Sequence, residues 1–103
     1  MSQSVFLVSA VRTPIGSFGG ALRQVPALDL AKKVILEAIG RSGLQKKDIE
    51  QIAFGNCLPP LDQNIARIAA LLAGLPNETP GYTINCACSS AMQALFGANQ
   101  TGY

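Results

Sequence analysis

The 103-residue sequence contains no histidine and no tryptophan, and only 14% of its residues are charged. Histidine is the side chain that titrates unperturbed near neutral pH and the commonest metal ligand, so neither role has its usual occupant. The eight basic residues are scattered, and no basic stripe with interleaved aromatics marks a nucleic-acid surface. The pairs Lys32-Lys33 and Lys46-Lys47 read as solvated helix faces and turns. Long apolar runs are lacking as well. The first, Val5 to Val11, is interrupted by Ser9 and is far too short to cross a bilayer. No basic region precedes it, as a secretory signal requires. Three cysteines form an odd set with no paired framework, which fits a reducing compartment. One Cys-x-Cys pair with a distant third cysteine makes a poor tetrahedral zinc set, and the spacing is not the Cys-x-x-Cys of redox folds. These absences predict a soluble intracellular protein, cytoplasmic before mitochondrial or peroxisomal, with neither nucleic acid nor membrane as partner and no metal.

What is present is a core-forming composition, with 49% hydrophobic residues. The β-branched run Val5–Val11 predicts a strand buried on both faces, as in parallel sheets. Residues 12–20, with Pro14, Gly16, Gly19 and Gly20, predict a loop. That loop matches neither a dinucleotide fingerprint nor a P-loop. Leu28, Ala31, Val34, Ile35, Ala38 and Ile39 recur at helical spacing between Pro26 and Gly43. A second strand is expected from Ile52 to Leu58, ended by Pro59-Pro60. A second helix follows from about Asn64 to Ala73, with Ile65, Ile68, Ala69 and Leu72 on its apolar face and Asp62 or Asn64 as its cap. A third strand, Tyr82 to Cys86, leads into a small-residue helix starting near Cys88 and running through Met92, Leu95 and Phe96. The order β-α-β-α-β-α implies right-handed crossovers and a mostly parallel sheet with helices on both faces. A layer that stops on a helix, with no further strand, reads as incomplete.

The most informative segment runs from Thr83 to Leu95. Cys88 falls where a strand hands over to a helix, and a thiol in the first helical turn faces unpaired N–H groups and the positive end of the helix dipole. Both favour the thiolate, which is the nucleophile. The small neighbours Ala87, Ser89, Ser90 and Ala91 let a carbonyl approach the backbone, and the Cys88 N–H is a candidate oxyanion donor. The competing reading is a packed small hydrophobe. Core packing is the expected role of Cys57, within an apolar strand, and of Cys86, beside Ile84. Arg12 and Arg67 are candidates for a phosphate or carboxylate, though a loop or helix-face charge accounts for each more simply.

Three segments, in order, resemble the thiolase family. Val8-Ser-Ala-Val-Arg-Thr-Pro-Ile-Gly-Ser-Phe-Gly-Gly20 is similar to its first-strand and loop signature. Gly55-Asn56 with Gln63-Asn-Ile-Ala-Arg67 is similar to its second strand and helix. Asn85-Cys-Ala-Cys-Ser-Ser-Ala-Met-Gln-Ala94 is similar to its nucleophile segment. The resemblance covers nearly the whole chain and implies a nucleophile at Cys88, not Cys86. It implies Asn85, Ser89 and Ser90 as oxyanion or supporting groups, and Gln63, Asn64 and Arg67 as support for the nucleophile loop near a subunit contact. It further implies two similar halves in five α/β/α/β/α layers, a homodimer or tetramer, acyl-CoA substrates, coenzyme A as co-substrate and no permanently bound cofactor. The reaction would be thiolysis of a 3-ketoacyl-CoA through an acyl-cysteine, or the reverse condensation. Family enzymes are roughly four times longer, and their later parts supply a histidine and a second cysteine for proton transfer. Ser89 stands where glycine or alanine is common, and residues 96–103 depart from the family pattern. An inactive isolated chain is therefore expected. Two other readings remain open: a ketoacyl-synthase-like condensing enzyme, with the same nucleophile, and a non-catalytic truncated or assembly-dependent domain. A redox or metal protein is a third.

Overall fold

A computed structural model describes residues 4–57 and 64–101. The expected cap Asp62, the Pro59-Pro60 stop and Gln63 lie outside the described residues. Helix α1 spans Ala27–Ser42, with Pro26 at its N-cap and Gly43 at its C-cap in the left-handed region at φ 81°. Proline before the start and glycine after the end suit the two termini, since proline has no N–H to leave orphaned and glycine has no Cβ to strain. A 3₁₀ turn, Lys46–Asp48, follows, with the Gln45 N–H donating to Asp48 Oδ2 at 2.9 Å. Then come strand β1 (Ile52–Gly55), helix α2 (Ile65–Leu72), strand β2 (Gly81–Ile84) and helix α3 (Ser90–Thr101).

The strands pair in parallel, Ile52 opposite Gly81 through Gly55 opposite Ile84. Flanking bonds extend the ladder at both ends: Ile52 N–H to the Pro80 carbonyl at 2.9 Å and Asn56 N–H to the Ile84 carbonyl at 3.0 Å. Successive side chains point to opposite faces, and this parity distributes the helices. Gly81 faces α2, where a Cβ would lie 2.9 Å from the Arg67 nitrogen. Gly55 faces α3, where a Cβ would lie 2.4 Å from the Ala91 nitrogen. Helices thus cover both faces of a parallel sheet, as the α/β order predicts.

The core lies between α1, α2 and one sheet face. Ala31 and Ile35 of α1 pack with Ile65, Ala69, Ala70, Ala73 and Leu75, and Ile52 and Phe54 close the cluster from the sheet. The buried stripe of α2 is rotated from the expected one. Ile65, Ala66, Ala69 and Ala70 are buried, Ile68 is half-buried, and Leu72 is 50% exposed. Alanines lie against the sheet because the backbone comes too close at Gly81 for larger residues.

Val5–Val11 departs most from expectation. The segment carries no ladder, and Val5 and Leu7 are 66% and 83% exposed. It stands off β1 and α1 across an apolar cleft of about 700 Å³ lined by Phe6, Val8, Ile35, Ile39 and Phe54. An apolar run specifies the wish to be buried, but a strand exists only where a neighbour accepts its hydrogen bonds. Ser9 Oγ, buried without a partner, lies in the same stretch. Residues 18–24 form turns, with the Gly20 N–H on the Ser17 carbonyl at 2.8 Å, as expected of a glycine loop.

Candidate functional site

β2 ends at Ile84 and α3 begins at Ser90. The chain between them makes a tight turn in which Ser89 N–H bonds the Cys86 carbonyl at 3.1 Å. Ala87 takes φ 51°, the one positive φ of a non-glycine among the described residues. A positive first central residue followed by a negative one has the φ signs of a type II′ turn, whose first central position normally falls to glycine. Alanine is held there by a dense set of short-range bonds. Asn85 Oδ1 accepts from Ala87 N–H at 3.1 Å, and Ser89 Oγ donates to the Cys86 carbonyl at 2.9 Å. Ser90, only 5% exposed, accepts from Cys86 N–H at 2.9 Å and donates to the Ala87 carbonyl at 2.6 Å. Asn85, Ser89 and Ser90 therefore shape the backbone on either side of Cys88.

Cys88 itself is exposed and free, at the hand-over from strand to helix. The first α3 bond, Gln93 N–H to the Ser89 carbonyl at 3.0 Å, makes Ser89 the cap, so Cys88 sits one residue outside the helix rather than in its first turn. Cys57 and Cys86 are exposed too, against the expected packing role. Both fall beyond the last ladder pair, and among the described residues no second layer covers them. Residues reading as strand in the sequence are here loop, because β1 stops at Gly55 and β2 at Ile84.

Behind the turn, α2 is tied to β2. Asn64 caps α2 by accepting from Arg67 N–H at 3.4 Å, and its amide donates to the Gly81 carbonyl at 3.0 Å. Thr83 Oγ1 accepts from Ala66 N–H at 3.2 Å and donates to Asn64 Oδ1 at 2.8 Å. Arg67 donates to the carbonyls of Thr79 at 2.7 Å and Asn77 at 3.0 Å, so its guanidinium holds the loop before β2 rather than an anion. Buried Thr79 in turn donates to the Ile49 carbonyl at 3.2 Å. Sequence reasoning found Asn64 and Arg67 but missed Thr83, Thr79 and Gly81. Threonines before a strand carry no pattern that separates a helix-to-sheet link from ordinary strand propensity. Arg12 is exposed and lines a separate cleft of about 840 Å³ with Lys33, Glu37 and Arg41. Among the described residues no group of three or more His, Cys, Asp or Glu could hold a metal ion, and no helix is long and apolar enough to cross a membrane.

Helices on both faces of a parallel strand pair, with an exposed cysteine on a hydrogen-bonded strand-to-helix turn, define an α/β layer. The match to the thiolase N-terminal domain extends over residues 5–101, and the chain belongs to the thiolase family. That match runs on through α3, past the point where the family pattern was expected to fade. A probable acetyl-CoA acyltransferase of Staphylococcus aureus is 43% identical over 98 residues, which are 94% of this chain and 25% of that protein. An acetyl-CoA acetyltransferase of Syntrophomonas wolfei is 42% identical over 101 residues, 97% of this chain and 26% of that protein. The crystal structure of the Bacillus anthracis acetyl-CoA acetyltransferase superposes with a TM-score of 0.85 at 45% identity, over 89% of this chain and 24% of that one. The Acat5 thiolase from Ascaris suum, solved in complex with coenzyme A, gives 0.86 at 42% identity, over 90% of this chain and 25% of that one. The chain spans about a quarter of the length of these relatives.

Proposed function

We propose that this chain supplies the nucleophile of a thiolase-type acyl-CoA C-acyltransferase, with Cys88 as the residue that accepts the acyl group. The observation that carries the reading is the open placement of Cys88 on the clamped turn between β2 and α3. In the cleavage direction the Cys88 sulfur attacks the keto carbon of a 3-ketoacyl-CoA. The adjacent carbon–carbon bond breaks, acetyl-CoA leaves, and the acyl group then passes from sulfur to free coenzyme A. The Ascaris suum relative solved with coenzyme A supports acyl-CoA as the substrate class and coenzyme A as co-substrate. Asn85, Ser89 and Ser90 fix the turn that offers the Cys88 N–H as the donor to the acyl oxygen. Asn64 braces β2 and Arg67 the loop before it, near the contact of a homodimer or tetramer acting in the cytoplasm.

The sequence has no histidine to take the proton from the thiol and return one to the leaving carbon. The 103-residue chain alone therefore undergoes at most a single acylation and does not turn over. The test is a short iodoacetamide pulse followed by peptide mass mapping, with acetyl-CoA labelling in parallel. Cys88 is expected to alkylate before Cys57 and Cys86 and to be the cysteine that carries acetyl. Since all three are exposed, access does not favour one. Equal or slower labelling of Cys88 overturns the assignment. Steady thiolysis by the purified chain, abolished by Cys88→Ala, overturns the expected inactivity.

A further inference from the structure

We propose that Cys86 is a resolving cysteine for Cys88: once a peroxide oxidises Cys88, Cys86 traps it as an intrachain disulfide across the turn at Ala87. The packing role that the sequence suggested for Cys86 is absent, because this thiol is exposed and free, as is Cys88. Consecutive Cα atoms stand about 3.8 Å apart. Two such links folded through a closed turn hold the Cα atoms of residues 86 and 88 at roughly 5–6 Å, inside the span of about 4.4–6.8 Å that disulfides bridge. An extended Cys-x-Cys lies at the far edge of that span. Here the Ser89 N–H to Cys86 carbonyl bond at 3.1 Å closes the turn, and φ 51° at Ala87 bends it. The turn is held in this shape by Ser90, which bonds Cys86 N–H at 2.9 Å and the Ala87 carbonyl at 2.6 Å. A thiol tethered two residues away outcompetes any thiol free in solution.

The chemistry balances with a peroxide as the oxidant. The Cys88 sulfur attacks one peroxide oxygen, the O–O bond breaks, and sulfenic acid and hydroxide form: sulfur loses two electrons and the peroxide gains them. The Cys86 sulfur then attacks the sulfenic sulfur. The S–S bond forms as the S–O bond breaks, and the departing hydroxide leaves as water with the Cys86 proton. With hydrogen peroxide, two thiols and one oxidant give one disulfide and two waters. A thiol reductant reverses the bond and frees the nucleophile, whereas the sulfinic acid reached without a resolving thiol is not recovered this way.

The proposal rests on the reading of Cys88 as the reactive thiol only for its first step. Cys57 is a competing partner, because the parallel register continued past Gly55 and Ile84 brings it level with Cys86. The experiment treats the Cys57→Ser chain with limiting hydrogen peroxide, blocks free thiols with iodoacetamide, and maps peptides without reduction. The expected product is a monomer that has lost two hydrogens in the peptide holding residues 86 and 88, restored by dithiothreitol. With Cys86→Ala added and a second equivalent of peroxide supplied, Cys88 is expected instead to gain two oxygens. Overoxidised Cys88 beside a free Cys86 overturns the proposal, as do disulfide-linked dimers in place of the intrachain bond. A Cys57–Cys86 link in the parent chain overturns it also. Equal alkylation of all three cysteines before oxidation counts against the nucleophile reading; Cys88 alkylating first with no intrachain bond after peroxide counts against this one alone.

Discussion

Gly55 and Gly40 make a matched pair for testing how closely the sheet supports the cysteine turn. A Cβ built on Gly55 would lie 2.4 Å from the Ala91 nitrogen and from the Ser90 carbonyl carbon, and 2.8 Å from the Ala91 Cα. All three are backbone atoms of the first turn of α3, so no side chain can swing away. Ordinary heavy-atom contact needs about 3.5 Å, and α3 must therefore recede by about 1 Å or β1 must bend. Inserting a methyl into such a contact costs about 1–3 kcal/mol. Gly40, within α1, has nothing within 4 Å of the same built atom. There alanine removes the glycine penalty and stabilises by roughly 0.5–1 kcal/mol. Urea unfolding followed by far-UV circular dichroism separates the two. With a slope of about 1 kcal/mol/M for a small chain, Gly55→Ala is expected to lower the midpoint by about 1–3 M and Gly40→Ala to raise it. A Gly55→Ala midpoint equal to or above the parent's would refute the close seating of α3 on β1.

Further perturbations probe the turn and its support. Ser90→Ala removes two hydrogen bonds from a buried hydroxyl and is expected to cost about 1–2 kcal/mol in urea unfolding, with Ser90→Thr recovering part of it. Ala87→Gly relieves the positive φ and is expected to stabilise by up to about 1 kcal/mol, glycine's chain entropy offsetting the remainder; Ala87→Val, β-branched at that φ, lowers the unfolding midpoint. Thr83→Val strands the Ala66 N–H and leaves Asn64 Oδ1 with only its bond from Arg67 N–H; it is expected to cost about 1–3 kcal/mol, read as a lower melting temperature that Thr83→Ser restores.

The legible parts of the sequence were those fixed by local chemistry. α1 follows from its apolar spacing and from Pro26 and Gly43, and the structure places its ends at those residues. The cysteine turn was legible as a junction because strand spacing gives way to small helix-forming residues there. Its internal bonding was not, since nothing in Asn-Cys-Ala-Cys-Ser-Ser says that Ser90 reaches back to Cys86 while Ser89 bonds the opposite side of the same turn. α2 was found with its stripe rotated, because helical periodicity ranks residues by hydrophobicity. The contact with Gly81 ranks them by size and buries alanine ahead of Leu72. Cys57 and Cys86 were read as core because apolar neighbours imply a covering layer, and none reaches beyond the last ladder pair. Val5–Val11 has strand composition but no strand, since a ladder is a property of two segments and composition describes one.

The contrast between that first segment and the cysteine turn separates what each needs. Every bond that shapes residues 85–90 joins groups two to four positions apart. Such bonds close with little loss of chain entropy. Two longer-range features aim the turn: the parallel register of β1 against β2, and the seating of α3 on Gly55. Both are complete among the described residues, although Val5–Val11 lies unpaired. The presentation of Cys88 is accordingly a property of β1, β2 and the first turn of α3, braced from the other face by Asn64, Thr83 and Arg67. The apolar surfaces of residues 5–8 and of α3 at Met92, Leu95 and Phe96, all exposed, stand apart from that set. A cysteine positioned by short-range bonds on a small parallel pair depends little on whether the surfaces around it are covered or bare. The chain accordingly superposes over 89–90% of its residues on relatives of which it spans only 24–25%.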